Sequence, residues 1–234
     1  MYKKHLNVSI SVIVLGLLVL GTSVLIFLYH KEVFDEKWAP IVGGMAISSL
    51  VSLIQFLINF KNYRNNEKLE DSGVREFLST RGDRDYYSKL INKANTQFDL
   101  LFHTSKRFFE DFCEEQGEDN LLIKLLDKNP NLVVRMLLTH RDYLEERDHL
   151  SYDISSKAIS RLRKKYGDRF QVRFYCHEPN HNLFITDTDA VIGPYFKNEK
   201  GKYLPSIHFR SNASFVAPYK KYFNTEWENA EDNN

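Results

Sequence analysis

Cysteine is scarce in this chain of 234 residues: there are two, Cys113 and Cys176. Two thiols make no disulfide framework, and a reducing, cytosolic compartment is the simpler reading. A surplus of basic charge is missing as well. The first 60 residues hold four of the 32 basic and three of the 31 acidic residues, which leaves 28 of each in the remainder. A bulk nucleic-acid binder is more basic than that. No Gly-rich phosphate loop and no Ser-nucleophile motif is present. His177-Glu-Pro-Asn-His181 beside Cys176 has the look of a metal site, but Pro179 and the lack of a second ligand pair exclude it. No metal and no cofactor is expected. Charge itself is absent from two stretches near the start. Asn7–Tyr29 and Ile41–Phe60 are uncharged apolar runs of 23 and 20 residues, and about 20 suffice to cross a bilayer as a helix.

These runs predict a two-helix transmembrane hairpin over residues 1–60, with spans at about 7–29 and 41–60. A cleaved signal peptide is the competing reading of Asn7–Tyr29. Its apolar core would run about 7–15 residues and end at a small-residue cleavage site; this run is longer, and a second follows it. Lys3 and Lys4 precede the first span, and Lys61, Arg64 and Lys68 follow the second. The link His30–Pro40 sets Lys31 and Lys37 against three acids. The bias places both termini on the cytoplasmic side of a bacterial inner membrane.

The second run carries a polar stripe. Gly44, Ser48, Ser52, Gln55 and Asn59 fall within a sector of about 80° on a helix. In lipid, small residues permit close helix approach and side-chain amides bond across the gap. The stripe therefore packs on the first span, on another copy of the chain, or along a water-filled pore.

Residues 61–73 are polar and Asn-rich, a linker or a helix leaving the membrane. Alternating signals follow over residues 74–234. Strands are predicted at Val74–Ser79, Phe98–His103, Leu132–Leu138, Phe170–Cys176, Leu183–Thr186, Ala190–Phe196 and Ser206–Arg210. Helices are predicted at Arg84–Asn95, over Lys106–Cys113 and Asn120–Lys128 (one broken helix or two), through Ile154, Ala158, Leu162 and Tyr166 to a Gly167 cap, and through Phe215, Tyr219, Tyr222, Phe223 and Trp227. The order βαβαβα, then strands and a closing helix, implies an α/β fold with a mixed sheet.

His181-Asn-Leu-Phe-Ile-Thr-Asp187 leads into Ala190-Val-Ile-Gly193. This segment resembles the phospholipase D-like superfamily, whose motif is HxK(x)4D, and the resemblance extends over roughly Val74–Glu228 with its aromatic closing helix. In active members the His attacks phosphorus, the Lys holds the phosphate, and two motifs meet across a two-fold axis. Here His181 matches the His, Leu183 stands in place of the Lys, and Thr188 stands in place of the Asp, between Asp187 and Asp189. Phosphoryl transfer needs fixed positive charge at the phosphate oxygens, and a leucine supplies none. The chain is more similar still to degenerate, single-copy domains of this type that serve as sensors. If any residue is catalytic it is His181; otherwise His181 is structural or binds a ligand.

His208 and Arg210 alternate on one strand face and, with His181, would form an anion-binding wall beside a loop carrying Tyr195, Lys197, Lys200 and Lys202. Lys157, Arg161, Arg163, Lys164, Lys165, Arg169 and Arg173 face one acid, Asp168. Lys157, Arg161, Lys164 and Lys165 are the candidates there for contact with a nucleic-acid backbone or anionic headgroups, against a plain solvated face. The six acids of Glu110–Asp119 repel those same partners.

Two spans joined to such a domain also resemble the two-span effectors of bacterial anti-phage systems, both the retron-associated and the cyclic-nucleotide-gated kinds. The resemblance implies a non-enzymatic, oligomeric effector that disrupts the inner membrane in abortive infection. Its partners would be the lipid bilayer, other copies of itself, and either a reverse transcriptase with its RNA–DNA hybrid or a cyclic nucleotide. Cardiolipin synthases pair two spans with phospholipase D-like domains too, with intact motifs; a membrane-tethered, dimeric phosphodiesterase or nuclease is therefore one alternative. A membrane-anchored sensor or scaffold without lethal output is the other.

Overall fold

The computed structural model describes residues 9–31, 33–114, 120–197 and 199–232. Lys3, Lys4 and Asn7 of the orientation and span readings, Glu32 of the link, and Glu115, Glu118 and Asp119 of the acidic run lie outside these residues. The chain divides into two compact units after Asp71.

The first unit is a pair of helices, α1 (Ile10–His30) and α2 (Ala39–Asp71). Both are long and apolar enough to cross a membrane, and only 11% of the apolar window of each is buried. At 1.5 Å per residue the 21 residues of α1 measure about 31 Å, close to the roughly 30 Å of a bilayer's hydrocarbon. More than a dozen large apolar side chains of the pair are exposed, Leu17 (64%), Ile47 (66%) and Ile58 (74%) among them. Left in water at about 1 kcal/mol or more each, they would forfeit on the order of 20 kcal/mol, more than a typical domain's whole stability. Core helices of a soluble fold are not built this way.

The seam between the two helices is small and partly polar. Val42, Ala46, Ser11 and Thr22 are buried in it. The Thr22 and Ser49 hydroxyls share a 2.7 Å hydrogen bond. Gly43 admits the Tyr29 ring, to which a Cβ would stand at 3.1 Å. At the far end Glu67 accepts from the Ser11 N–H at 2.7 Å and from the Ser9 hydroxyl. An anion there suits the positive end of α1, and these bonds hold the Glu67 carboxyl below its ordinary pKa. The stretch expected as linker or exit helix is helix as far as Asp71, because residues 61–71 hold no Gly or Pro to stop it.

The second unit is a seven-stranded mixed sheet covered by helices on both faces. In chain order it runs β1 (Val74–Leu78), α3 (Arg84–Lys93), β2 (Gln97–Phe102), α4 (Lys106–Phe112), α5 (Leu121–Lys128), β3 (Val133–Thr139), α6 (Glu146–Tyr166), β4 (Phe170–Tyr175), β5 (His181–Thr186), β6 (Asp189–Pro194), β7 (Ser206–Arg210) and α7 (Ala217–Asn229). Strand order is β1-β7-β6-β5-β2-β3-β4. β2, β3 and β4 are parallel, linked through helices, and the other pairings are antiparallel. The Asp83 carboxylate caps α3 by accepting the Tyr86 N–H at 3.0 Å. Gly167 ends α6 at φ 56°, a conformation open to glycine.

Pleating sends alternate residues to two cores. On one face Phe98, Leu100, Val134, Met136, Phe184 and Val191 pack under α3 to α6. On the other, Leu101, Leu137, Leu183, Ile185 and Phe209 pack under Phe223 and Trp227 of α7.

Candidate functional site

The carboxyl ends of β2, β3, β4 and β6 and the amino end of β5 share one edge of the sheet. Crevices outside the carboxyl ends of parallel strands are the usual ligand sites of such sheets. His103, His140 and His177 follow β2, β3 and β4, and His181 opens β5, so this edge collects half of the chain's eight histidines.

His103 is held from three sides. Its Nδ1 is 3.1 Å from Thr139 Oγ1, its Nε2 is 3.2 Å from Asp148 Oδ2, and the Tyr195 ring packs at 4.9 Å. The Thr139 hydroxyl donates to Tyr175 Oη at 2.8 Å, and the Tyr175 hydroxyl donates to the Phe102 carbonyl at 3.1 Å. Burial pushes the Tyr175 phenol well above its ordinary pKa. His103 and Tyr195 line a cleft with Tyr143, Glu145, Glu178, Pro179 and Lys197, and its volume is about 20 Å³. That is room for a water molecule, not for a phosphodiester. Lys197 closes its mouth with a 2.7 Å ion pair to Glu178. His177 uses both nitrogens, on the Glu178 carbonyl at 2.7 Å and Glu226 Oε2 at 2.8 Å. Burial opposes its charge, but these two acceptors prevail and its pKa is raised.

The motif segment lies in β5 and the turn after it, and each of its residues has a structural partner. The His181 ring stands edge-on to Tyr219 (5.3 Å) and Tyr222 (5.7 Å) of α7. Leu183 is fully buried in the core beneath α7. The Asp187 carboxylate accepts the N–H groups of Asn95, Thr96 and Gln97 and the Thr96 hydroxyl, so it fixes the entry to β2. Burial alone would raise its pKa, yet these donors lower it. Thr188 donates to Asp189 Oδ2 at 2.6 Å.

No family model and no curated protein matches this chain. Among solved structures it is similar to TrmBL2, an archaeal chromatin protein whose structure shows a mode of DNA binding (17% identity over 82% of this chain and 70% of that one, TM-score 0.45). It is also similar to Nuc, a phospholipase D family member from Salmonella typhimurium (11% identity, 68% of this chain and 96% of that one, TM-score 0.45). NucT from Helicobacter pylori is a third (14% identity, 68% of this chain and all of that one, TM-score 0.42). These are likenesses of outline, and the chemistry of this chain is argued from its own residues.

The wall expected from His181, His208 and Arg210 does not form. His208 shares the Phe184 and Val191 face, whereas His181 shares the Leu183 face, so the sheet itself separates them. His208 is 5% exposed. Its Nε2 lies 2.8 Å from Asp189 Oδ1 and its Nδ1 2.6 Å from Tyr86 Oη. The carboxylate can only accept, so Nε2 donates to it, and Nδ1 shares a hydrogen bond with the Tyr86 hydroxyl. Arg75 adds an ion pair to the same carboxylate oxygen at 3.1 Å. Burial works against the Asp189 charge, but His208, Thr188 and Arg75 hold its pKa down at about 2. Burial, then Glu76, pushes the Tyr86 phenol up. Asp189 and Tyr86 were not singled out in the sequence. Asp189 carried a signal as the second acid of Thr-Asp-Thr-Asp, whereas Tyr86 carried none within the helix expected over Arg84–Asn95. Arg210 is exposed and pairs in register with Asp189 at the opposite end of β6 from His181.

The basic segment divides. Arg161 donates to the Cys113 carbonyl at 2.6 Å, Lys165 pairs with Asp127 at 3.0 Å, and Arg163 donates to the Val172 carbonyl and to Asp232. Arg169 holds the carbonyls of Leu126 and Asn129, and Arg173 that of Trp227. Lys157 and Lys164 remain as exposed cations of this face. The local charge of +6 is thus largely committed to joining α6 to α4, α5 and β4, and β4 to α7.

In the helical unit, Gly44, Ser48, Ser52, Gln55 and Asn59 are all exposed. Packing against α1 in the same chain is the expectation that fails. The seam uses Val42, Ala46 and Ser49, on another side of α2. Ser52 donates back to the Ser48 carbonyl at 2.9 Å, and Asn59 Nδ2 donates to the Gln55 carbonyl at 3.0 Å.

Proposed function

We propose that this chain is a bacterial inner-membrane effector of an anti-phage, abortive-infection system. The two apolar helices carry the output, assembling through the Gly44–Asn59 stripe of other copies. The α/β unit, on the cytoplasmic side, senses a trigger or is held silent by a partner, and it performs no phosphodiester chemistry. The supporting observation is the union of two exposed apolar helices with an α/β unit whose motif segment is absorbed into structure. Leu183 lies in the core, Asp187 fixes a turn, His181 is stacked on α7, and the adjoining cleft admits only water. The outward position of Gln55 and Asn59 supports assembly, since amides facing lipid gain from a partner helix.

The test is induced expression of the full chain in bacteria, without any partner, under a membrane-potential dye. Depolarisation is expected, with relief by Gln55→Leu combined with Asn59→Leu and persistence in His181→Ala. An unchanged potential would sink the effector reading. Loss of activity in His181→Ala alone would replace it with the membrane-tethered, dimeric phosphodiesterase.

A further inference from the structure

The sheet has two edges, β1 and β4, and they are guarded differently. An edge strand holds out backbone N–H and C=O groups to any other strand, and charge or a bulge within it discourages that pairing. β1 has both. Arg75 and Glu76 are exposed, and the register with β7 shifts between Val74 and Glu76. β4 pairs with β3 without a break in register, and its stretch Phe170-Gln-Val-Arg-Phe174 carries a single charge.

The segment leaving α7 covers β4 instead. Glu231 and Phe174 form an antiparallel bridge, N–H to carbonyl in both directions at 2.9 Å. Asp232 forms a 2.9 Å ion pair with Arg163, which also donates to the Val172 carbonyl. Phe174 and Val172 thus turn their backbone groups away from β3, and by the pleat the Phe170 carbonyl points the same way. The cover is slight. Glu231 and Asp232 are exposed, and an exposed ion pair adds little.

Beneath this cover β4 is complementary to itself. A second β4 laid antiparallel about Val172 sets Val172 opposite Val172 and Phe170 opposite Phe174. These are the residues whose backbone groups face the edge. Gln171 then stands opposite Arg173, so no like charges meet. Sliding the pair by two residues either way sets Arg173 against Arg173 or against Arg169. Phe170, Val172 and Phe174 are already buried in their own core, so the join rests on backbone bonds and cross-strand pairs.

We propose that Glu231 and Asp232 are a displaceable strap on the β4 edge, and that lifting it lets the α/β units of two copies join through β4. The inference goes beyond the effector reading, because the stripe of α2 assembles helices whereas this edge joins α/β units. It is read on purified protein, so either can fail without the other.

The experiment mixes two full-length chains in maltoside micelles, one carrying Gln171→Cys and the other Arg173→Cys, both with Cys176→Ser. Opposite each other at a non-hydrogen-bonded pair, positions 171 and 173 stand about 4.5 Å apart at Cα, within disulfide reach. Two copies of either position lie on the diagonal at about 7–8 Å, beyond it. Glu231→Pro with Asp232→Ala opens the strap in both chains, by removing the Glu231 N–H and the ion pair. After mild oxidation, the opened mixture should yield at least tenfold more disulfide-linked dimer than the mixture with the strap intact, and than either opened chain alone. Asp232→Ala by itself changes only an exposed side chain and so keeps the fold; it should raise the yield about threefold. No linked dimer from the opened and Asp232→Ala mixtures, or equal yields with the strap intact, overturns the proposal.

Discussion

The helical unit and the α/β unit distribute the same kinds of side chain in opposite ways. In the α/β unit Phe98, Leu100, Leu183 and Phe223 are sealed inside and most charges lie outside, Asp99 and Asp189 being buried against Arg135, Arg75 and His208. In the helical unit Leu17, Leu20, Ile47 and Ile58 face outward, while hydroxyls of Ser11 and Thr22 are buried in the seam. Water drives the first arrangement, because burying apolar surface is its main source of stability. The second gains nothing from water; in lipid, helices hold together through close packing of small residues and a few hydrogen bonds. The two units, divided after Asp71, are thus built on opposite plans: one seals its apolar side chains, the other presents two helices long and apolar enough to cross a membrane.

The largest expected effect sets matched truncations in the two units against each other. Phe223→Ala empties a fully buried site and should cost about 3–5 kcal/mol, lowering the unfolding temperature of the α/β unit by about 10 °C. Leu20→Ala, at a position 63% exposed, should cost less than about 1 kcal/mol in micelles or nanodiscs. Equal losses by calorimetry would break the two-solvent comparison.

Next comes acid. The Asp189 pKa is depressed to about 2 from an ordinary 3.8. A depressed carboxylate stabilises the fold above its unfolded pKa and loses that contribution as pH falls through the folded value. The α/β unit should therefore lose on the order of 2 kcal/mol between about pH 4 and pH 2, and Asp189→Asn should flatten that part of the profile. Among the described residues of the α1–α2 seam only Glu67 is a carboxylate with a lowered pKa, and it stands at the far end of the pair, so most helix content there should persist over the same range by circular dichroism. The smallest effect belongs to the seam. Thr22→Val with Ser49→Ala removes one interhelical hydrogen bond and should weaken helix pairing by about 0.6 kcal/mol, read as energy transfer between labels on α1 and α2.

Much of this architecture was legible locally. Val-rich Leu132–Leu138 reads as a buried strand because it is one, and Gly167 ends a helix because it alone tolerates the backbone there. What resisted reading depends on partners distant in sequence. His181 and His208 both lie on strands, but which face each presents is set by the pairing of β5 and β7 with β6. Arg81 sits in Ser79-Thr-Arg-Gly-Asp83, an unremarkable turn, and its partners are the carbonyls of Pro194 and Gly201, more than a hundred residues on. The polar stripe was visible as a period. Its outward aim was not, since nothing in α2 alone says which side Tyr29 and Thr22 will occupy.

From Met45 to Asp71, α2 contains neither glycine nor proline. At 1.5 Å per residue that is about 40 Å of uninterrupted helix, from the polar stripe to the end held by Glu67. Such a rod behaves as a drive shaft. Turning its polar end by one residue's worth, about 100°, would turn Gln55 and Asn59 by the same angle, with no glycine or proline joint along the way to absorb the twist.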